Sequence, residues 1–127
     1  MEKNQTNHKI RKVLILKIVF TTKGTSLEAE MDSRFGRSSY LLLYDDANGT
    51  MECFDNRAVA DAGHGAGPQT AKKVFDLKPD ILITGNGPGG NAATILEKTG
   101  IVIYIGAGDL TVREALENYQ KGLLDRL

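Results

Sequence analysis

The feature that most constrains this chain is the alternation in its second half. Apolar runs of strand length at residues 81–84 and 101–105 alternate with segments of helical periodicity. Residues 66–77 put Ala71, Val74 and Phe75 on one face, with Pro68 suited to the first helical turn. Residues 91–98 carry Ala92, Ile95 and Leu96 on one face, and Gly100 follows as a C-terminal cap. Thr111 and Glu114 have the spacing of a capping box, so a third helix starts there. Val112, Ala115, Leu116, Tyr119 and Leu123 continue one face of it, and Gly122 stops its regular part. Strands that alternate with helices in this way require right-handed crossovers and parallel pairing.

The first half has another rhythm. Residues 13–20 form an apolar, β-branched run that reads as a central strand covered on both faces. Residues 39–44 and 50–54 are two further strands, and Asn48-Gly49 between them is a hairpin signal. The fold class is therefore α/β, a mixed sheet with helices on both faces. A chain of 127 residues, 41% of them hydrophobic, forms one domain, read as residues 13–127 behind a disordered polar tail at 1–12. Tail and apolar run together imitate a signal peptide. The run is too short to span a bilayer, Lys17 interrupts it, and no small-residue cleavage site follows. A soluble cytoplasmic protein without membrane attachment is expected. Sixteen Lys and Arg balance sixteen Asp and Glu, so no general attraction to nucleic acid arises. The one cysteine, Cys53, makes no intrachain disulfide and no thiolate cage; core or sheet-face packing is expected of it.

Chemistry points to the loops. Residues 32–39 carry Arg34 and Arg37, residues 63–69 place His64 between glycines ahead of a helix, and residues 85–91 are glycine-rich between strand and helix. In a parallel α/β arrangement such loops gather beyond the strand C-termini. Glycine admits close backbone approach, helix N-termini offer free N–H groups to an anion, and the arginines add full positive charge. Phosphate suits such a place, and so does an anionic metal–sulfur cluster. Each glycine loop taken alone is equally an ordinary tight turn. His64 is either a metal ligand or an exposed loop histidine. Neither a Walker A loop nor a nucleophile elbow is present, and no acid/base pair is displayed.

Taken together these residues resemble a known family. Phe35-Gly36-Arg37 before a tyrosine-containing strand, His64 to Gly67 entering a helix, Gly85 with Gly87-Pro88, Gly100-Ile101 with Tyr104, and Thr111-Val112 with Glu114-Ala115 are similar in order and spacing to the dinitrogenase iron-molybdenum cofactor biosynthesis family. The resemblance spans about residues 13–123 and is to a small stand-alone member. It implies a ribonuclease H-like three-layer fold with a five-stranded mixed sheet. It implies a non-catalytic carrier of an iron–sulfur or iron-molybdenum-type cluster, with cluster donor and acceptor proteins as partners. It makes His64 the metal-contacting residue. Arg34, Phe35, Gly36, Arg37, Gly65, Gly67, Gly85, Gly87 and Gly90 become the cofactor-binding rim. The alternative from the loops alone is a small regulatory module that binds a phosphorylated small molecule or nucleotide.

Overall fold

The computed structural model describes residues 16–127; the polar tail and the start of the first apolar run lie outside the described residues. Six strands form one sheet: β1 (Lys17–Thr22), β2 (Tyr40–Asp45), β3 (Thr50–Asp55), β4 (Ile81–Ile83), β5 (Val102–Ile105) and β6 (Asp125–Arg126). Four helices accompany them: α1 (Arg57–Ala60), α2 (Ala66–Leu77), α3 (Gly90–Glu97) and α4 (Val112–Gln120). The strand order is β3-β2-β1-β4-β5-β6. The hairpin pairs antiparallel with β1, whereas β1, β4 and β5 run parallel, as the two sequence rhythms predict.

The implied count of five strands is corrected to six. Residues 125–126 pair antiparallel with Tyr104 and Ile105. Two exposed residues without an apolar alternation carry no strand signal; the backbone of β5 recruits them. The four-residue α1 is likewise unannounced by periodicity. The hairpin turn also differs in detail. Asp45 pairs with Thr50, so the connection has four residues, with Gly49 at φ 71 and Asn48 Oδ1 accepting from Thr50 N at 3.1 Å. Helix ends follow the sequence: Thr111 and Glu114 close the capping box, and Gly100 and Gly122 take positive φ beyond α3 and α4.

The sheet separates two apolar layers. On one face Ile18, Phe20, Leu42, Ile81 and Ile83 pack against Val112, Ala115 and Leu116 of α4 and against Met31. On the other, Val19, Leu41, Leu82 and Ile103 pack against Ala71 and Val74 of α2 and Ala92 and Leu96 of α3. Period-2 alternation in the strands thus feeds helices on both faces. Among the described residues no helix is long and apolar enough to cross a membrane.

Cys53 departs from the burial expected of it. It lies opposite Leu42 on the α4 face of β3 and is exposed, because β3 is the sheet edge and α4 covers only the central strands there. Partial desolvation and the neighbouring Asp55 push its thiol pKa up, which disfavours the thiolate a metal needs. Asp55 itself is held down to about 2 by hydrogen bonds from the Arg57 side chain and backbone N–H. A depressed carboxyl contributes stability above its unfolded value, and that contribution is lost as pH falls through about 2. A carboxyl-detected NMR titration should place the Asp55 midpoint near 2 in the native protein. In Arg57→Ala it should rise towards the ordinary aspartate range without reaching it, because the backbone N–H of residue 57 still donates to Oδ1. An unmoved midpoint would show that the Arg57 side chain does not hold the charge.

Candidate functional site

β3 is parallel to β1 through two antiparallel steps, so the C-terminal ends of β1, β3, β4 and β5 share one edge. The loops 23–39, 56–65, 84–89 and 106–111 therefore meet there. They are knitted by backbone contacts. Asn86 N donates to Ser33 O at 2.9 Å, and Gly106 N donates to Gly85 O at 2.8 Å. Beneath them the hydroxyls of Thr21 and Thr84, at the ends of β1 and β4, are hydrogen-bonded at 2.7 Å and fully buried.

Two of the predicted glycines are where backbones touch. A Cβ on Gly85 would lie 2.5 Å from Ser33 Cα, and one on Gly36 would lie 2.8 Å from Gly67 N. Residues 32–36 consequently lie directly on the strand end before α3 and on the first turn of α2. Thr70 Oγ1 donates to Gly36 O at 3.1 Å, and the fully buried Asn56 donates from Nδ2 to Ser38 O at 2.9 Å. The residue type of Asn56 does not announce this role. Its place as the N-cap of α1 is no signal either, since α1 is not legible in the sequence and the Asn56 side chain makes no capping bond.

The two helices of this face begin side by side. A Cβ on Gly67 in the first turn of α2 would touch Ala92 in the first turn of α3 at 3.7 Å. Their N-cap residues, Gly65 and Gly89, supply no side-chain acceptor to the first-turn N–H groups at the positive ends of the two helix dipoles; in α2 Pro68 has no N–H, which leaves those of Ala66 and Gly67. α4 differs, since Thr111 and Glu114 occupy its own end. His64 is exposed and stands one residue before the α2 cap. Gly90 opens α3 with free space around it, and Gly87 approaches Ile105 at the end of β5.

The remaining predicted residues divide. Arg34 is exposed, but its Nε lies 3.5 Å from the Oδ1 of Asp32, a carboxylate 1% exposed that also accepts from Arg34 N at 3.0 Å. Its charge is therefore partly offset at the site. Arg37 Nη1 donates to Ala60 O at 2.7 Å and Ala62 O at 2.6 Å, which turns the guanidinium into the protein. Phe35 is 3% exposed and packs in the α2–α3 core layer with Val19, Leu41 and Ala71. His64, Gly65 and Gly90 thus stand at the two helix ends, Gly67 is packed between Gly36 and Ala92, and Arg34 is exposed on the adjoining 32–36 segment, whereas Phe35, Gly36, Arg37 and Gly85 lie beneath. Among the described residues no three His, Cys, Asp or Glu side chains group around a metal-sized space.

The parallel strands, the loops at their C-terminal edge and the paired helix ends define a small α/β domain of mixed-sheet type. More particularly, the chain belongs to the dinitrogenase iron-molybdenum cofactor family, whose model matches residues 15–122. The apo form of the orange protein from Desulfovibrio gigas is 30% identical with a TM-score of 0.83, over 89% of this chain and 93% of that one. A putative NifB protein from Thermotoga is 31% identical with a TM-score of 0.76, over 89% of this chain and 94% of that one. No curated protein matches the chain.

Proposed function

We propose that the protein is a non-catalytic cytoplasmic carrier of an anionic metal–sulfur cluster of the iron–sulfur or iron-molybdenum type, received from one protein and handed to another. The observation that carries this reading is the pair of adjacent helix N-termini without side-chain caps, with His64 exposed at the mouth of one of them. Membership of the family, and likeness to an orange protein and a putative NifB protein, supports the class of cargo. Backbone N–H groups bond to sulfide or carboxylate oxygens of the cargo, and Arg34 adds charge at the rim. His64, as neutral imidazole, supplies one coordinate bond. A single protein ligand with many weak N–H contacts suits a carrier, because the cargo leaves once one bond is exchanged.

Anaerobic titration of the protein with isolated iron-molybdenum cofactor, followed by absorbance and electron paramagnetic resonance, tests this. Saturable binding is expected for wild type, and His64→Ala should lose at least about tenfold in affinity, the worth of one 1.4 kcal/mol contact. Its thermal stability should stay within about 0.5 kcal/mol of wild type, as for surface substitutions generally. Equal affinity in the variant would remove His64 from the site.

The same paired N-termini favour a second reading, a regulatory module for a phosphorylated small molecule, since phosphate bonding at a helix end needs no metal ligand. A thermal-shift screen with nucleotides separates the two. Stabilisation by about 2.7 kcal/mol at a hundredfold excess over Kd would support this second reading. Silence with every phosphate ligand would exclude it.

A further inference from the structure

Arg37 has chemistry that its place in a glycine–arginine loop does not announce. Both of its short hydrogen bonds, at 2.7 and 2.6 Å, come from one nitrogen and go to the carbonyls of Ala60 and Ala62 at the C-terminal end of α1. A cation is favoured there by the carbonyls themselves, which among the described residues have no backbone partner. The base of this side chain is itself fixed. Gly36 is pressed on Gly67, Thr70 holds the Gly36 carbonyl, and Asn56 holds the Ser38 carbonyl.

Beyond Ala62 the chain is far less restrained. Among the described residues neither Gly63 nor His64 has a backbone hydrogen bond to another residue, and nothing stands within 4 Å of where a Gly63 side chain would be. The next anchor is Gly65, whose carbonyl accepts from Gln69 N at 3.1 Å. The path of residues 63 and 64 is therefore set by two fixed ends, and Arg37 makes one of them. From this geometry we propose that Arg37 is a positioning residue for His64: it holds the α1 end so that the imidazole is presented at the mouth of α2, and its own charge does not meet the cargo. This rests on the carrier reading for its functional consequence, while its structural core stands without any cargo.

The test uses the full chain and begins without ligand. Amide hydrogen exchange at residues 61 and 62 and the imidazole NMR signals of His64 are compared in wild type, Arg37→Ala and Arg37→Lys. Exchange at the Asp61 and Ala62 amides, which donate to Arg57 O and Val59 O at 3.0 Å, should rise by about tenfold or more in Arg37→Ala as the α1 end loosens, with α4 unchanged. Arg37→Lys, one atom shorter but equally charged, should fall between the two. Titration with isolated iron-molybdenum cofactor at two salt concentrations follows. Affinity should fall in the order wild type, Lys, Ala with the same salt dependence throughout, whereas Arg34→Ala should flatten the salt dependence.

Unchanged exchange at 61 and 62 together with unmoved His64 imidazole signals in Arg37→Ala would overturn the proposal. So would an Arg37→Lys protein that matches wild type in both exchange and affinity, or an Arg37→Ala protein with the flattened salt response of Arg34→Ala. If Arg37→Ala does not fold, the Arg37→Lys comparison decides alone. Failure of wild type to bind the cofactor would count against the carrier reading and leave the exchange result standing.

Discussion

Gly85→Ala is expected to destabilise the protein by about 3 kcal/mol or more, the upper end of what overpacking costs. The added methyl would lie 2.5 Å from Ser33 Cα and 2.8 Å from Ser33 O, and both are backbone atoms that no rotamer change can move. Relief requires the 32–34 segment to lift, and that breaks the Asn86 N to Ser33 O bond. It also draws the buried Asp32 towards solvent. A fall in Tm of roughly 10 °C follows for a chain of this length. Gly90→Ala, five residues away in the same glycine-rich stretch, is the control. Among the described residues nothing lies within 4 Å of its added methyl, and at the first position of α3 the change should leave stability within about 0.5 kcal/mol of wild type or raise it slightly. Equal Tm values for the two variants would show that the 32–34 segment does not rest on the end of β4.

That contrast shows how far the sequence can be read. The stretch from Gly85 to Asn91 announces a strand-to-helix loop, and the loop is there. Which glycine touches another backbone depends on Ser33, more than fifty residues earlier in the chain, and no local pattern encodes that distance. The helices are legible because their apolar faces recur at the helical period and the Thr111–Glu114 cap is a local signal; α2 begins and ends where its periodicity predicts. β6 is not legible, since its strand character comes from β5 and not from its own two residues. The rim is legible as a set of loops meeting at one edge, because parallel strands guarantee that meeting. The division of labour inside it is not. Arg34 and Arg37 look alike three positions apart, yet one faces solvent and the other bonds to two carbonyls.

Phe35→Ala should cost about 3–5 kcal/mol, the range for removing a buried aromatic ring. The ring is 3% exposed and lies in the layer formed by Leu41, Val74, Ala92 and Leu96, between the sheet and the two helices whose N-termini form the rim. It is held there by its neighbour Gly36, which can approach Gly67 only without a Cβ. Loss of the ring therefore loosens the seat of residues 32–37 along with the core. Chemical denaturation with m-value analysis measures the first effect, and an unchanged m would show that the variant keeps its native compactness. Phe35→Leu separates support from contact. It retains much of the apolar volume and should cost only about 1–2 kcal/mol. If the ring acts solely by holding the loop, this folded variant should bind iron-molybdenum cofactor within about twofold of wild type, a difference near 0.4 kcal/mol. A tenfold loss in Phe35→Leu, with its fold intact, would instead mean that the loop opens on binding and brings the ring to the cargo. The core layer would then be part of the binding site and not merely its foundation.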